Sequence, residues 1–516
     1  MGVNRSREMS SSNVQDDESA SGNSDNESDL ATILQYLIRS GQVRILGSDD
    51  SLPSFPKLPP SVTSNVENIK NSEIAHMTKL ASGISYNDSI TEMLKKREIG
   101  LLKGGSGFNE REKCYISNNR LPVKLKPIDT YDHKVFCGIY SQDGNRLLTA
   151  CQDRLMRLYD SSNGVVFKQL LEIHGRDVGW SILDAAFSPD SRHIAYSSWS
   201  PTLHMVDVES GGDACSHKAL ELCPEERRFC VFSLAFSESG HDIVCGANDG
   251  NIYIYNLAAN DRTLKVEAHD DDVNTVTFAD NTSQIVYSGG DDGLCKVWDR
   301  RTLSEMNPKP VGVLAGHMDG VTYIDSRGDA RHLISNSKDQ SIKLWDIRVF
   351  SSSSAQEAAR RAVGLSRWDY RWQSAPKKLL TRRVNMKGDT SLATYRGHSV
   401  LQTLIRCHFS PAFTTGQRFI YTGCAYGRVV VYDLLTGQII LTLQGHTSCV
   451  RDVSWHPYRP EIISSSWDFS VICWNHFGLV QEDGEVGSHL VMDDPLAISS
   501  RPLRRSQRIA DRNRTH

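Results

Sequence analysis

The chain has 516 residues, with 58 Lys+Arg against 62 Asp+Glu and so a formal charge of 58 − 62 = −4. That length is ample for one large domain with flanking segments, and the near-neutral balance argues against a dedicated nucleic-acid binder. Apolar runs fall short of a membrane span, no secretory apolar segment follows the polar N-terminus, and the 12 cysteines form no CxxC pair. Several of them (Cys137, Cys151, Cys245, Cys295, Cys407, Cys424, Cys473) stand among apolar strand residues. They read as small buried thiols of a reducing compartment, with no disulfide, metal or cofactor expected. The expected location is nucleus and cytoplasm.

Residues 1–29 are rich in Ser, Asn, Asp and Glu, a composition too poor in apolar groups to repay the entropy of folding. The start, Met1-Gly2-Val3-Asn4-Arg5-Ser6, fits a loose myristoylation pattern that is frequent by chance. An extension over 30–120 follows. In it, Leu30, Ile33, Leu34, Leu37 and Ile38 fall on one helical face behind an Asp29 cap, packing on the main domain or entering a partner's groove. A second candidate helix runs from Ile90 to Leu101, with Ile90, Met93 and Leu94 apolar.

From 121 to 476 one pattern recurs: apolar strand, polar turn, second strand, and a close on an aromatic or apolar residue followed by Asp or Asn. The closing dipeptides are Tyr159-Asp160, Val206-Asp207, Tyr255-Asn256, Trp298-Asp299, Trp345-Asp346, Tyr432-Asp433 and Trp474-Asn475. Their final residues are 47, 49, 43, 47, 87 and 42 apart, and the 87 is one period plus an insertion of similar length. Seven units follow. A second register agrees with the first. An Asp stands six positions before the aromatic in five units (Asp153, Asp249, Asp292, Asp339, Asp468), and a Ser or Thr four before that Asp in four of them (Thr149, Ser288, Ser335, Ser464). A His opens most units, as at His269, His317, His398 and His446, and the segments between alternate apolar and polar residues as half-buried strands do.

This pattern resembles the WD-repeat family, over roughly two-thirds of the chain. The resemblance implies an all-β fold, a seven-bladed β-propeller behind a partly disordered, partly helical N-terminal extension. It also implies a buried hydrogen-bond network of His269, Ser288 and Asp292 in one blade, His317, Ser335 and Asp339 in the next, and His446, Ser464, Asp468 and Trp474 in the last. The second unit has Ser200 and the sixth Tyr426 where the turn Asp belongs, and the third lacks Gly-His; the local bonding of those blades is open. Ring closure calls for Pro122-Val123-Lys124-Leu125-Lys126 as the outer strand of the last blade, which otherwise exposes a sticky edge.

The repetition of His, Ser and Asp argues against catalysis, because a triad is needed once and this trio recurs. There is no GxSxG elbow, Gly104-Gly105-Ser106-Gly107 lacks the Lys-Ser/Thr of a phosphate loop, and no Cys/His array suits a RING-type zinc module. The chain therefore reads as a binding scaffold and not an enzyme.

Two consecutive units end in Trp-Asp-x-Arg, at Trp298-Asp299-Arg300-Arg301 and Trp345-Asp346-Ile347-Arg348. Arg301 and Arg348 then stand on one rim, offering rigid forks of donors to a partner's carboxylates and carbonyls. Asp299 and Asp346 serve more as turn-fixing residues. The paired motif resembles that of WD-repeat substrate receptors that dock the damage-specific DNA-binding adaptor of cullin-4 RING ubiquitin ligases. The whole arrangement is similar to the cullin-4-associated factor eleven family and its plant relatives. The resemblance implies adaptor docking through Arg301, Arg348, Trp298, Trp345, Asp299 and Asp346, with an unknown protein substrate held elsewhere. A WD-repeat scaffold for a chromatin or RNA-processing complex, without ligase link, is the competing reading.

The insertion 349–390 begins with a Ser run and turns basic and aromatic, with Arg360, Arg361, Arg367, Trp368, Tyr370, Arg371, Trp372, Lys377, Lys378, Arg382 and Arg383. Such a loop packs its aromatics on the propeller more often than it binds single-stranded nucleic acid, the weakest of the three readings. By connectivity it leaves the rim of Arg301 and Arg348, which suggests a role beside the docking site. The tail 477–516 ends with Arg501, Arg504, Arg505, Arg508, Arg512 and Arg514 against Asp511, a composition suited to a nuclear import signal.

Overall fold

Each repeat supplies four short strands that bury only when they pack on the next repeat, and seven repeats close a ring. A computed structural model of the chain describes residues 69–84, 89–100 and 107–476, apart from 165, 210–216, 225–227, 367 and 382–384. The acidic segment 1–29, the helix read over 30–39 and the tail 477–516 lie outside the described residues. The strands form seven four-stranded antiparallel sheets, and each of blades 1 to 6 takes its four strands in sequence order. Blade 4 is typical: Val273–Phe278, Ile285–Gly290, Leu294–Asp299 and Gly312–Ala315, here strands a to d from the channel outward. Blade 5 is interrupted between strand c, Ser341–Asp346, and strand d, Ala393–Tyr395.

Closure happens in blade 7. Its first three strands are Val450–Trp455, Glu461–Ser466 and Ser470–Asn475, and the outermost is Lys124–Thr130 from the start of the propeller. Lys124 lies opposite Asn475, and the ladder runs to Thr130 opposite Ser470. The closing strand begins two residues after Pro122 and extends four beyond Lys126, where the sequence pattern had ended it.

The hydrogen-bond network takes the expected form in blades 4, 5 and 7. His269 places Nδ1 2.9 Å from Asp292 and Nε2 2.8 Å from the Ser288 hydroxyl, which accepts from Trp298 Nε1 at 2.9 Å. In blade 5 the distances are 3.1 Å for His317–Asp339, 2.7 Å for His317–Ser335 and 2.7 Å for Trp345–Ser335. In blade 7 they are 3.1 Å for His446–Asp468, 2.7 Å for His446–Ser464 and 2.8 Å for Trp474–Ser464. In blades 5 and 7 the glycine before the histidine leaves no room for a side chain, being crowded by Asp389 or Leu125 and by the tryptophan ring, whereas blade 4 has Ala268 there. A Cβ on Gly316 or Gly445 would sit 2.9 Å from Cη2 of Trp345 or Trp474 respectively.

The departing blades solve the same problem differently. In blade 6, His398 turns to the Tyr432 hydroxyl at 3.0 Å and to Asn336 of blade 5 at 2.9 Å. In blade 3, Asp249 accepts from Tyr253 and Asn251. Across the channel, the buried guanidinium of Arg406 in blade 6 reaches Asp184 of blade 2 at 2.5 Å and Asp452 of blade 7 at 3.2 Å. The same two carboxylates accept from Leu234 N and Gly138 N, so one charge cluster ties five blades together.

The described part of the extension folds as three helices, α1 (Glu73–Ser82), α2 (Ile90–Glu98) and α3 (Glu110–Asn118). Ile69, Ile74 and Ala75 join the core cluster of blades 5 and 6. Of the apolar residues expected to face inward in the second candidate helix, Met93 is buried whereas Leu94 is 43% exposed. Neither α1 nor α3 was read from the sequence, although Asn109 and Glu112 form a reciprocal capping box legible as Asn-x-x-Glu.

Two expectations follow. Ser335 is fully buried and serves two partners, so Ser335→Ala leaves His317 Nε2 and Trp345 Nε1 without theirs. A loss of about 1–3 kcal/mol is expected, read as a lower urea midpoint with unchanged slope. Burial opposes ionisation of Asp292, Asp339 and Asp468, yet their histidine partners hold all three below the ordinary carboxylate range. Carboxyls depressed in the folded state contribute stability above their unfolded value, near about pH 4, and lose it as pH falls further. Urea midpoints should therefore fall from about pH 5 to about pH 3; a flat profile there would contradict this account.

Candidate functional site

Successive strands alternate in direction, so the d–a and b–c connections of every blade emerge on one face and the a–b and c–d connections on the other. The network histidines and turn aspartates lie on the first face. Both Trp-Asp-x-Arg segments end strand c and lie on the second, in consecutive blades.

The two rim sites repeat one geometry. Asp299 Oδ1 accepts from Arg301 N at 3.0 Å and Nε at 2.9 Å, and Oδ2 accepts from Nη2 at 2.7 Å. Asp346 does the same for Arg348, at 3.0 Å from its N, 3.3 Å from Nε and 3.1 Å from Nη2. Each aspartate closes a turn and holds the guanidinium in a fork, while the arginines stay 67% and 60% exposed. The Arg301 fork keeps the Asp299 carboxyl below its ordinary range. The sites differ in their surroundings. Asp346 also binds Arg331, and Glu73 of α1 reaches Arg331 and, at 3.5 Å, Arg348.

Trp298 and Trp345 do not stand with them on the surface. Both are at most 1% exposed and spend their indole N–H on Ser288 and Ser335, so the placing of these rings at a docking contact is corrected. They hold the strand that presents the arginine. The c–d connections carry surface residues that the sequence reading passed over: Met306, Val311, Val349 and Phe350, from 37% to 95% exposed. For Val349 and Phe350 the signal was their place directly after the motif, where a polar turn is the norm.

The insertion corrects a second expectation. It leaves strand c of blade 5 on the arginine rim, but α4 (Ser353–Leu365) then climbs the outside of blade 4, packing Ala355 and Ala359 on Leu294, Val313 and Ala315. At its end Trp368 Nε1 donates to Asp319 at 2.9 Å, and Tyr370 O accepts from Gln402 N at 2.8 Å. Asp319 belongs to a d–a connection, so the aromatic part lies on the face opposite the arginines. Its described arginines are answered: Arg360 by Asp270, Arg361 by Glu357 and Arg371 by Asp369. The chain returns through α5 (Lys377–Thr381), and Asp389 pairs with Lys343 at 2.5 Å, both side chains 2% exposed. There, on the histidine face, residues of the insertion and of all seven blades line a cavity of about 870 Å³.

A family model described as "WD domain, G-beta repeat" matches residues 125–160, 224–256, 260–299, 308–346 and 437–475. It skips the second and sixth units, where Ser200 and Tyr426 replace the turn Asp. The LEC14B protein of Lithospermum erythrorhizon is 40% identical over 453 residues, 84% of this chain and 93% of that protein. The DDB1- and CUL4-associated factor 11 homolog of Caenorhabditis elegans is 43% identical over 381 residues, 72% of this chain and 66% of that protein. The LEC14B homolog of Prunus armeniaca is 39% identical over 435 residues, 80% of this chain and 90% of that protein.

The chain belongs to the WD-repeat family of LEC14B and DDB1- and CUL4-associated factor 11.

Among the described residues no group of His, Cys, Asp and Glu is placed to hold a metal ion, and no helix is long and apolar enough to cross a membrane. What the family fold presents here is a pair of pre-oriented arginines on one face and a cavity on the other. The Lys343–Asp389 pair anchors the insertion that walls this cavity. Asp389→Ala would strand a buried ammonium, at a cost of about 3–5 kcal/mol. Limited proteolysis should then cut within 376–390 well before the blades; equal resistance to wild type would refute the anchoring role.

Proposed function

We propose that this chain is a non-catalytic substrate receptor of a cullin-4 RING ubiquitin ligase, docking its DDB1 adaptor through the rim of Arg301 and Arg348. The observation that carries this reading is the duplicated fork: two adjacent blades each hold an exposed arginine against its own aspartate. Pre-orientation lowers the entropy lost on docking, and arginines set among exposed apolar residues are frequent binding hot spots. Met306, Val311, Val349 and Phe350 supply that apolar surround. Glu73 beside Arg348 is a carboxylate already in the kind of position a partner's would take. The names of the nematode relatives, which couple them to DDB1 and CUL4, support the same partner. Chemistry would then belong to a separate enzyme, and the opposite face would be left to the substrate. A nuclear pool, directed by the Arg-rich tail, accompanies this proposal.

The test is affinity purification with mass spectrometry of wild type against Arg301→Ala/Arg348→Ala, with folding checked by thermal melting. Wild type should retrieve DDB1 and cullin-4, and the folded double variant should lose both by more than about tenfold, as two hot-spot truncations predict. Retrieval of neither by wild type would favour the chromatin or RNA-processing scaffold.

A further inference from the structure

The two rim forks are built alike but are not surrounded alike. Gln284 in blade 4 and Arg331 in blade 5 hold the same place. Each accepts at its carbonyl from the residue after Trp-Asp, Arg300 N at 2.9 Å and Ile347 N at 3.1 Å respectively. The exchange of an amide for a guanidinium brings a second pair of charges to blade 5. Arg331 donates to Asp346 at 2.8 Å and to Glu73 of α1, and Glu73 stands 3.5 Å from Arg348 Nη1. Arg331, Asp346, Arg348 and Glu73 thus form a closed ring of two cations and two anions. In blade 4, among the described residues, Asp299 is the one carboxylate that reaches Arg301. Arg300 beside it is turned away to Asp242 at 2.8 Å.

Glu73 is brought to this place by packing as well as by its charge. It is the first residue of α1, and Ser72 caps the helix by accepting from Ala75 N at 3.4 Å. Ile74 and Ala75 are buried in the core cluster of blades 5 and 6, and Thr78, one turn on, accepts from Arg327 Nη2 at 3.1 Å. A carboxylate in the first turn of a helix is itself favoured by the partial positive charge there. With α1 fixed in this way, Glu73 stays within reach of Arg348 in the free chain.

The magnitudes set what the contact can do. Asp346 takes N, Nε and Nη2 of Arg348, which leaves Nη1 as the guanidinium nitrogen open to a partner. Glu73 stands against that nitrogen. Both side chains are more than half exposed, and an exposed ion pair shifts an equilibrium by no more than about fivefold. Glu73 also keeps Arg331 when it releases Arg348. The arrangement therefore biases the fork and does not lock it.

We infer that Glu73 is an internal competitor at the Arg348 fork, so that the rim receives a partner unequally: the Arg301 fork is open, and a carboxylate arriving at Arg348 displaces Glu73. Only the partner's identity rests on the receptor reading; the unequal forks belong to the free chain. The charges of the ring sum to zero, and neutralising Glu73 leaves one positive charge in excess, facing the partner. α1 is then a restraint on docking built into the extension.

Two measurements on the full chain test this. Phenylglyoxal, a neutral reagent selective for guanidinium groups, would be reacted with wild type and Glu73→Gln, and Arg301 and Arg348 followed by peptide mapping. In wild type Arg301 should be modified about three times faster than Arg348, a ratio within the range of an exposed pair. Glu73→Gln, nearly isosteric, should raise the Arg348 rate about three- to fivefold, with an unchanged Arg301 rate as the folding control. Equal rates in wild type, or an Arg348 rate indifferent to Glu73→Gln, would overturn the inference. In the second measurement DDB1 is titrated against wild type, Glu73→Gln, Arg348→Ala and Glu73→Gln/Arg348→Ala. Glu73→Gln should bind about three- to fivefold tighter than wild type, and the gain should vanish once Arg348 is alanine. Unchanged or weaker binding, or a gain that survives the loss of Arg348, would equally end the proposal. Where no chain binds DDB1, the receptor reading falls, and the phenylglyoxal rates alone decide whether Glu73 competes at Arg348.

Discussion

Pairing of Lys124–Thr130 with Ser470–Asn475 is the constraint on which the rest of the molecule depends. A sheet of radial blades has no natural end, and an open last blade would present a row of unpaired N–H and C=O groups. Taking the outermost strand from the beginning of the propeller removes that edge and locks the angular position of every blade. Only then do distant residues meet. Arg406 finds Asp184 and Asp452 across the channel because blades 2, 6 and 7 are held at fixed spacing. Once assembled, the buried cluster reinforces the closure that made it, since a charge left without its partners in that interior would be costly.

Within blades 4, 5 and 7 one arrangement recurs. A histidine from the d–a connection, a serine of strand b and a tryptophan of strand c share one hydroxyl, and the turn aspartate orients the ring. Polar groups that would oppose burial thereby become internal cross-links. Blade 6 shows that the requirement is satisfaction and not a particular residue set. With Tyr426 where the aspartate belongs, His398 takes the Tyr432 hydroxyl and a neighbouring blade's asparagine. The tryptophan links this interior to the surface: its indole fixes the end of strand c, and the next residues form the aspartate–arginine fork. The rim geometry is in this sense an outcome of core packing.

The alternating strand directions divide labour between the faces. Arginine forks, exposed apolar residues and α1 occupy one, and the aromatic and acidic cavity occupies the other. The insertion belongs to both, leaving the first face beside Arg348 and delivering Trp368 and Tyr370 to the second along the outside of blade 4. That path leaves the arginine rim and the cavity on separate faces of the propeller.

Period and register were legible in the sequence because they are local facts. The spacing of closing dipeptides counted seven blades, the His, Ser and Asp positions located the network, and an unpaired segment before the first repeat identified the closing strand. Trp-Asp-x-Arg likewise placed Arg301 and Arg348 on one rim, since strand direction follows from order along the chain. The burial of Trp298 and Trp345 beneath that rim was less apparent, because a motif lists its residues without saying which side of the strand faces solvent. The course of the insertion was not legible at all. Connectivity fixed where it leaves, whereas the contacts of Ala355 and Ala359 with blade 4, and of Trp368 with Asp319, fixed where it goes. The cavity is a product of the same kind, assembled from seven blades and a loop whose residues are hundreds of positions apart. The sequence by itself determined the repeat, the ring and the paired arginines, all set by periodicity and strand order. Only the tertiary structure decided the path of the insertion and which residues meet around the cavity, because those depend on long-range packing that no local pattern encodes.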